Sequence, residues 1–289
     1  MGAVLVYGLI NSVILALTAI GFSLTFGISG VANLAHGGLY ILAGYLTWQL
    51  FIHLGLPYAL AAVLAVIACG VIGALIYRLV LLRVRGLMLS EVIATFGLGI
   101  AILEALRWAG LISYKYKLPA FIKGGLQIGG VAVDYQRFLA VIIGLLLVAG
   151  LWFFTHRTKI GLAFRGIAQN ERTALAYGIE SDQAAMLSVA FGSAMAAVAA
   201  IIILPLGVTT VDIGYEILII AFAVGIVGGL ESTLGIVVAA LLLGYSQTFA
   251  AMYIGTHWIM IVNLIAIVLV LVIKPSGLFG KFKELEERV

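Results

Sequence analysis

Few residues in this chain can do chemistry, and they lie in otherwise apolar surroundings. In "GISGVANLAHGG", glycines bracket Asn33 and His36, two polar groups that are costly to leave facing hydrocarbon. A helix interrupted at membrane depth is tolerated only where protein or water receives the freed backbone groups. With Gly27, Gly30 and Gly37, these two side chains can therefore line or brace a passage; equally, they can form a polar turn at the interface or a bond between helices. The same stretch holds Ser29 in a G-x-S-G pattern, a nucleophile if a distant base such as His257 comes within hydrogen-bond reach. Glu104 and Arg107, three residues apart, can meet on one helical face, as a functional pair or as a merely neutralising one. Glu91 reads as an acid at a helix start, where the dipole favours it. Asp212, Glu216 and Glu231 read as interfacial or vestibule residues at the ends of apolar runs. His36, His53, His156 and His257 are too scattered for a metal motif.

The elements that must position these residues follow from composition. Of the 289 residues 64% are hydrophobic and 10% charged, and mean hydropathy is +1.24. Such a chain is an integral membrane protein with no room for a separate soluble domain. Its apolar runs are long and do not alternate with period two, which excludes a transmembrane barrel. The N-terminus lacks the basic start of a cleaved signal peptide and reads as a retained first span. Nothing in the charge pattern points to nucleic acid, and the lone Cys69 excludes an intramolecular disulfide.

Apolar runs at about 4–27, 38–54, 58–82, 91–112, 137–155, 183–204, 214–229, 233–251 and 257–273 mark nine candidate spans. The expected fold is an all-α polytopic membrane protein of about eight to nine transmembrane helices, some discontinuous or re-entrant. Residues 1–289 form one transmembrane domain. Arg78, Arg83 and Arg85, then Arg157, Lys159, Arg165 and Arg172, and finally Lys274, Lys281, Lys283 and Arg288 fall on one side if spans alternate. The positive-inside rule makes that side cytoplasmic, with the N-terminus outside and the C-terminus inside. Lys115, Lys117, Lys123 and Arg137 lie on the opposite side and dilute the bias. Gly27, Gly30 and Gly37 share their spacing with Gly225, Gly228 and Gly235; related halves of transporters place broken helices at such matching positions, although chance matches are common among 35 glycines.

The cytoplasmic stretch "RTKIGLAFRGIAQNERTALAYGIESD", about 157–182, breaks the apolar pattern. Asn170 can cap a short helix formed by "ERTALAY", and Gly178 can end it with a left-handed turn. Its alanines, with Leu175 and Tyr177, would make a small apolar surface, while Arg165, Glu171 and Arg172 keep the segment in water. This is either a docking knob or a solvated connection on the membrane surface. The chain has no G-x-x-x-x-G-K-[ST] loop, so nothing here hydrolyses ATP. If ATP drives transport, another subunit must supply the energy and needs a handle on this face; the short helix is the candidate.

Four motifs in order resemble the permease family of bacterial and archaeal ABC importers for branched-chain amino acids, LivH type. They are the N-terminal "GLINSVILALTAIGFSLTFGISGVANLAHG", the cytoplasmic "GLAFRGIAQNERTALAYGI", the late "VGIVGGLESTLGIVVAALLLGYSQ" and the terminal "KPSGLFG". The resemblance implies a transport subunit of the cell (inner or plasma) membrane, without a cofactor of its own and not an enzyme. ATP and Mg would be used by two partner ATPases. A homologous LivM-like permease and an extracytoplasmic solute-binding protein would complete the assembly within the lipid bilayer. It implies alternating access, a path near Asn33, His36 and the six glycines named above, and an ATPase contact through Arg165, Asn170, Glu171, Arg172, Ala174, Tyr177 and Gly178. Lys115, Lys117 and Lys123 become docking candidates for an acidic rim of the binding protein, with lipid headgroup contact as their other reading. Gly38, Leu34 and Glu231 depart from the family pattern, which leaves room for urea, short amides or another small solute. A self-sufficient secondary carrier and a rhomboid-like protease built on Ser29 are the remaining alternatives.

Overall fold

The computed structural model describes residues 2–30, 32–111, 116–207, 209–230 and 232–280. Nine helices fall on the nine apolar runs. They are α1 (Gly2–Ser29), α2 (His36–Ile52), α3 (Tyr58–Ile76), α5 (Met88–Trp108), α6 (Tyr135–Arg157), α9 (Ser181–Ile203), α10 (Ile213–Gly228), α11 (Thr233–Tyr253) and α12 (Trp258–Ile273). Six of these segments are long and apolar enough to cross a membrane, while α10 and α12 are shorter apolar helices. A π-helical turn at Tyr77–Leu81 carries α3 into α4 (Leu82–Val84). Two further cytoplasmic helices, α7 (Lys159–Gln169) and α8 (Glu171–Ala176), sit between α6 and α9.

α1 is the central post. At 1.5 Å per residue its 28 residues span about 42 Å, and small residues let neighbours come close. Gly21 faces the Gly192 backbone of α9, and Gly244 of α11 meets Ser12, the close approach that drives association when lipid supplies no hydrophobic force. Thr25 Oγ donates to the Ser188 carbonyl at 3.3 Å and Ser23 Oγ to the Leu230 carbonyl at 2.8 Å. α9 and α11 therefore both run antiparallel to α1. Near the N-terminal end of α1, Asn11 donates to Gln247 Oε1 at 3.1 Å and Gln247 donates to Asn263 Oδ1 at 2.6 Å, joining α1, α11 and α12.

The two ends of the bundle differ in charge. The end holding the C-terminus of α1 carries Arg78, Arg83, Arg85, Arg157, Lys159, Arg165, Arg172 and Lys274. The other, among the described residues, carries Arg107, Lys117, Lys123 and Arg137. The first is cytoplasmic. Lys281, Lys283 and Arg288 lie outside the described residues.

Outside, one small element joins the expected helices: a hairpin of β1 (Gly125–Ile128) and β2 (Val131–Asp134) with Leu126 opposite Val133. Its two-residue turn, Gly129 and Gly130, has both φ positive, at 57° and 81°, as a primed turn requires. The Tyr7 hydroxyl donates to the Ala132 carbonyl and ties the hairpin to the start of α1. Inside, the terminal "KPSGLFG" and the "GIVGG" of α10 form one unit. Leu278 N–H donates to the Val227 carbonyl at 2.9 Å and Phe279 N–H to that of Gly228 at 3.0 Å, satisfying carbonyls that a helix end otherwise leaves open.

Candidate functional site

The break between α1 and α2 is intramembrane. α1 stops at Ser29 because Gly30 takes φ +64°, and α2 begins with His36 back at the level of Thr18, near the middle of α1. There the His36 Nε2–H donates to the Thr18 carbonyl at 2.9 Å, and the ring meets the edge of Phe22 at 5.9 Å. Asn33 is buried and its Oδ1 accepts from Ala35 N–H at 3.2 Å, closing a local turn. Thr95 of α5 reaches across to the Ala32 carbonyl at 3.2 Å. Within this subunit Asn33 thus closes a local turn and His36 bonds one helix to another.

Beside this break, three helices touch backbone to backbone. A Cβ on Gly37 would sit 2.0 Å from the Gly214 carbonyl oxygen of α10, and one on Gly38 would sit 2.9 Å from that of Gly99 on α5. A shallow cleft lined by Leu34, Phe96, Ile100, Tyr215 and Leu218 opens over these glycines. α10, like α2, starts within the bundle, since Gly214 lies against Gly37. Above it Arg107 holds Glu104 at 2.5 Å and Asp212 at 2.9 Å, which fastens the outer end of α5 to the start of α10. The neutralising pair is therefore a three-member bridge.

Gly228 and Gly235 are brought together with the C-terminal segment and not with Gly37, while Gly225 faces Leu230 and Phe22. A Cβ on Gly228 would lie 2.5 Å from the Gly235 carbonyl oxygen, and the chain turns at Gly229 with φ +98°. Both glycine groups thus flank a helix stop followed by a helix of reversed direction, and both serve close packing. Gly27 instead lines a cavity at the cytoplasmic end. Glu231 lies outside the described residues.

At that end α7 lays Phe164 and Ile167 on the bundle, and α8 follows as a separate turn. Asn170 Oδ1 accepts from Thr173 N–H at 2.8 Å, and Gly178, at φ +77°, ends the helix. Ala174 is buried, whereas Leu175 and Tyr177 project outward, Tyr177 with 82% of its surface exposed. Arg172 is exposed. Glu171 and Asp182 both pair with Arg85, Glu171 at 2.5 Å, and Ser181 bonds to Arg85 at 2.7 Å. One guanidinium thus ties α8 and the start of α9 to the end of α4. Arg165 is half-buried, and its Nε is buried without a hydrogen-bond partner among the described residues. The amphipathic α7 lays the stem of that side chain along its apolar face.

Glu91 lies in the first turn of α5, buried, and accepts from Gly86 N–H at 2.9 Å. At the outer end Lys117 and Lys123 are exposed, while Lys115 lies outside the described residues. Among the described residues no group of three His, Cys, Asp or Glu could hold a metal ion.

Residues 4–272 match the family model described as branched-chain amino acid transport system, permease component. The chain belongs to this permease family. The BraD permease protein of the high-affinity branched-chain amino acid transport system in Pseudomonas aeruginosa is 30% identical, with 96% of this chain and 95% of that one covered. The LivH permease of Salmonella typhimurium is 27% identical over 92% and 91% of the two chains, and a probable LivH of Methanocaldococcus jannaschii 26% over 94% and 90%. The solved structure of PsaBC from Streptococcus pneumoniae, in complex with Fab, shares the fold with a TM-score of 0.52. Its identity is 12%, with 96% of this chain and 94% of that one covered.

The permease is thus a membrane transport subunit. The pairing that a protease requires is not formed: Ser29 ends α1 on the cytoplasmic side, whereas His257 follows the antiparallel α11 at the outer end. A nucleophile needs its base within hydrogen-bond reach. Three features escaped the sequence reading: the Arg85 tie, the Gly38, Gly99 and Gly214 contacts, and the clamp of the terminal segment on α10. The sequence marked Arg85 only as a positive charge, and no one-dimensional spacing pairs glycines on different helices.

Proposed function

We propose that the permease forms one half of the membrane portion of an ATP-driven importer, paired with a homologous LivM-like subunit, and carries branched-chain or other apolar amino acids inward by alternating access. The observation that carries this reading is the family match across nearly the whole chain, with relatives named for branched-chain amino acid transport. The passage runs beside the start of α2, where Leu34, Phe96, Ile100 and Leu218 line a shallow apolar cleft over Gly37 and Gly38. Two partner ATPases use ATP and Mg and grip α8 through Leu175 and Tyr177. Arg85 passes the displacement to α4 and α5, whose Gly99 lies against α2. An extracytoplasmic binding protein delivers solute to the outer end, near Lys117 and Lys123.

Proteoliposomes test this. With the second permease, ATPases and binding protein present, leucine uptake requires ATP, and Tyr177→Ala lowers it several-fold while the subunits stay folded. Uptake by this chain alone would overturn the importer reading. Uptake of urea or acetamide in place of leucine would overturn the substrate class.

A further inference from the structure

A cavity of about 610 Å³ opens between α1, α6, α7 and α11 at the cytoplasmic end. Its walls include Leu24 of α1, Leu151 of α6, Phe164 of α7 and Ile236 of α11, and among the described residues the one charged side chain lining it is Arg165. Arg165 is half-buried, and its Nε, buried in this apolar setting, has no hydrogen-bond partner among the described residues. A buried N–H of a cation is costly unless an acceptor meets it, and among the described residues no carboxylate lines the cavity.

The cavity sits at headgroup depth. Trp152, at its mouth, is half exposed and stacks on His156 at 4.9 Å, as an aromatic belt residue does. α7 is amphipathic yet leaves Ile160 and Leu162 exposed, the pattern of a helix lying in the membrane surface. Arg157 and Lys159 flank it, and polybasic segments next to a membrane attract the anionic cytoplasmic leaflet.

We propose that this cavity is a binding site for an anionic phospholipid of the inner leaflet. The phosphate accepts from the Arg165 guanidinium, and the upper acyl chain lies on the apolar wall between α1 and α11. The bound lipid holds α7 down and thereby fixes the platform from which α8 projects. The apolar walls select a lipid over a free anion, since inorganic phosphate would leave them uncovered.

Native mass spectrometry of the full-length permease in detergent, titrated with phosphatidylglycerol or phosphatidylcholine, tests the site. The wild type is expected to retain phosphatidylglycerol preferentially. Arg165→Gln should weaken that retention by roughly tenfold, the worth of a charge-assisted hydrogen bond, and Arg165→Lys should restore part of it. Gln169→Glu, at the exposed rim, should weaken it as well without altering the thermal midpoint measured without lipid, which keeps the test decisive if Arg165→Gln fails to fold. Equal retention of both lipids, full retention in Gln169→Glu, or displacement of the lipid by millimolar inorganic phosphate would overturn the proposal.

Discussion

At His36 an imidazole N–H that would be stranded in hydrocarbon joins two helices instead. Its partner, the Thr18 carbonyl, lies within the continuous helix α1, so His36→Leu removes a bond without unravelling α1. Interhelical bonds of this kind in membranes contribute about 0.6 to 1.7 kcal/mol. The variant should therefore fold, with a slightly lowered thermal midpoint, while uptake falls because the start of α2 is no longer fixed; wild-type uptake would confine His36 to a structural role. Gly37 gives a harsher case. A methyl 2.0 Å from the Gly214 carbonyl forces α2 and α10 apart, and such overpacking costs about 1–3 kcal/mol. Gly37→Ala should lower both stability and uptake, whereas Gly97→Ala, with nothing within 4 Å of the added carbon, should not. Equal effects in a thermal unfolding series would refute the close-approach argument. The polar residues at the break could be read from the sequence; which of them bonds to what could not, because Thr18 and Gly214 are remote from it in the chain.

At the scale of the element, α8 is a short helix made rigid by its ends. Asn170 caps it, Gly178 stops it, and Arg85 anchors Glu171. Those signals were local and so were visible in the sequence, except the last, which spans 86 positions. Arg85 and Glu171 are about a third exposed and Asp182 about half, so the contribution of these pairs to stability is about 1 kcal/mol or less. Their value lies in the geometry of the link. Arg85→Gln should leave the thermal midpoint nearly unchanged yet raise the number of ATP molecules hydrolysed per solute carried by the assembled importer. An unchanged ratio would reduce Arg85 to a surface bridge. The hairpin of β1 and β2 shows the opposite case: its Gly129–Gly130 turn is a local signal, but the long apolar runs around it drew the reading toward helices alone.

For the whole molecule, the order of spans puts Gly129 and Tyr177 on opposite sides of the membrane. Cys69 is fully buried on α3 and does not interfere with cysteine labelling. In intact cells an impermeant maleimide should modify Gly129→Cys but not Tyr177→Cys, and in inverted vesicles the reverse; labelling of both from one side would overturn the topology. The nine apolar runs agree with the helices to within a few residues. Span boundaries are set by transfer of each segment between water and hydrocarbon, which is a property of the segment itself.

By itself the sequence determined that this chain lives in a membrane, where its spans lie, on which side most of its basic residues gather, and that a short capped helix lies among them. Those are consequences of composition, hydropathy and short-range backbone signals. Only the tertiary structure decided that His36 braces α1, that Arg85 ties α8 to the bundle, that the terminal segment closes α10, and that Arg165 turns into a cavity. Each of these depends on how helices far apart in sequence pack and in what register. In lipid that register is chosen by the close fit of small residues and by polar groups that must find partners.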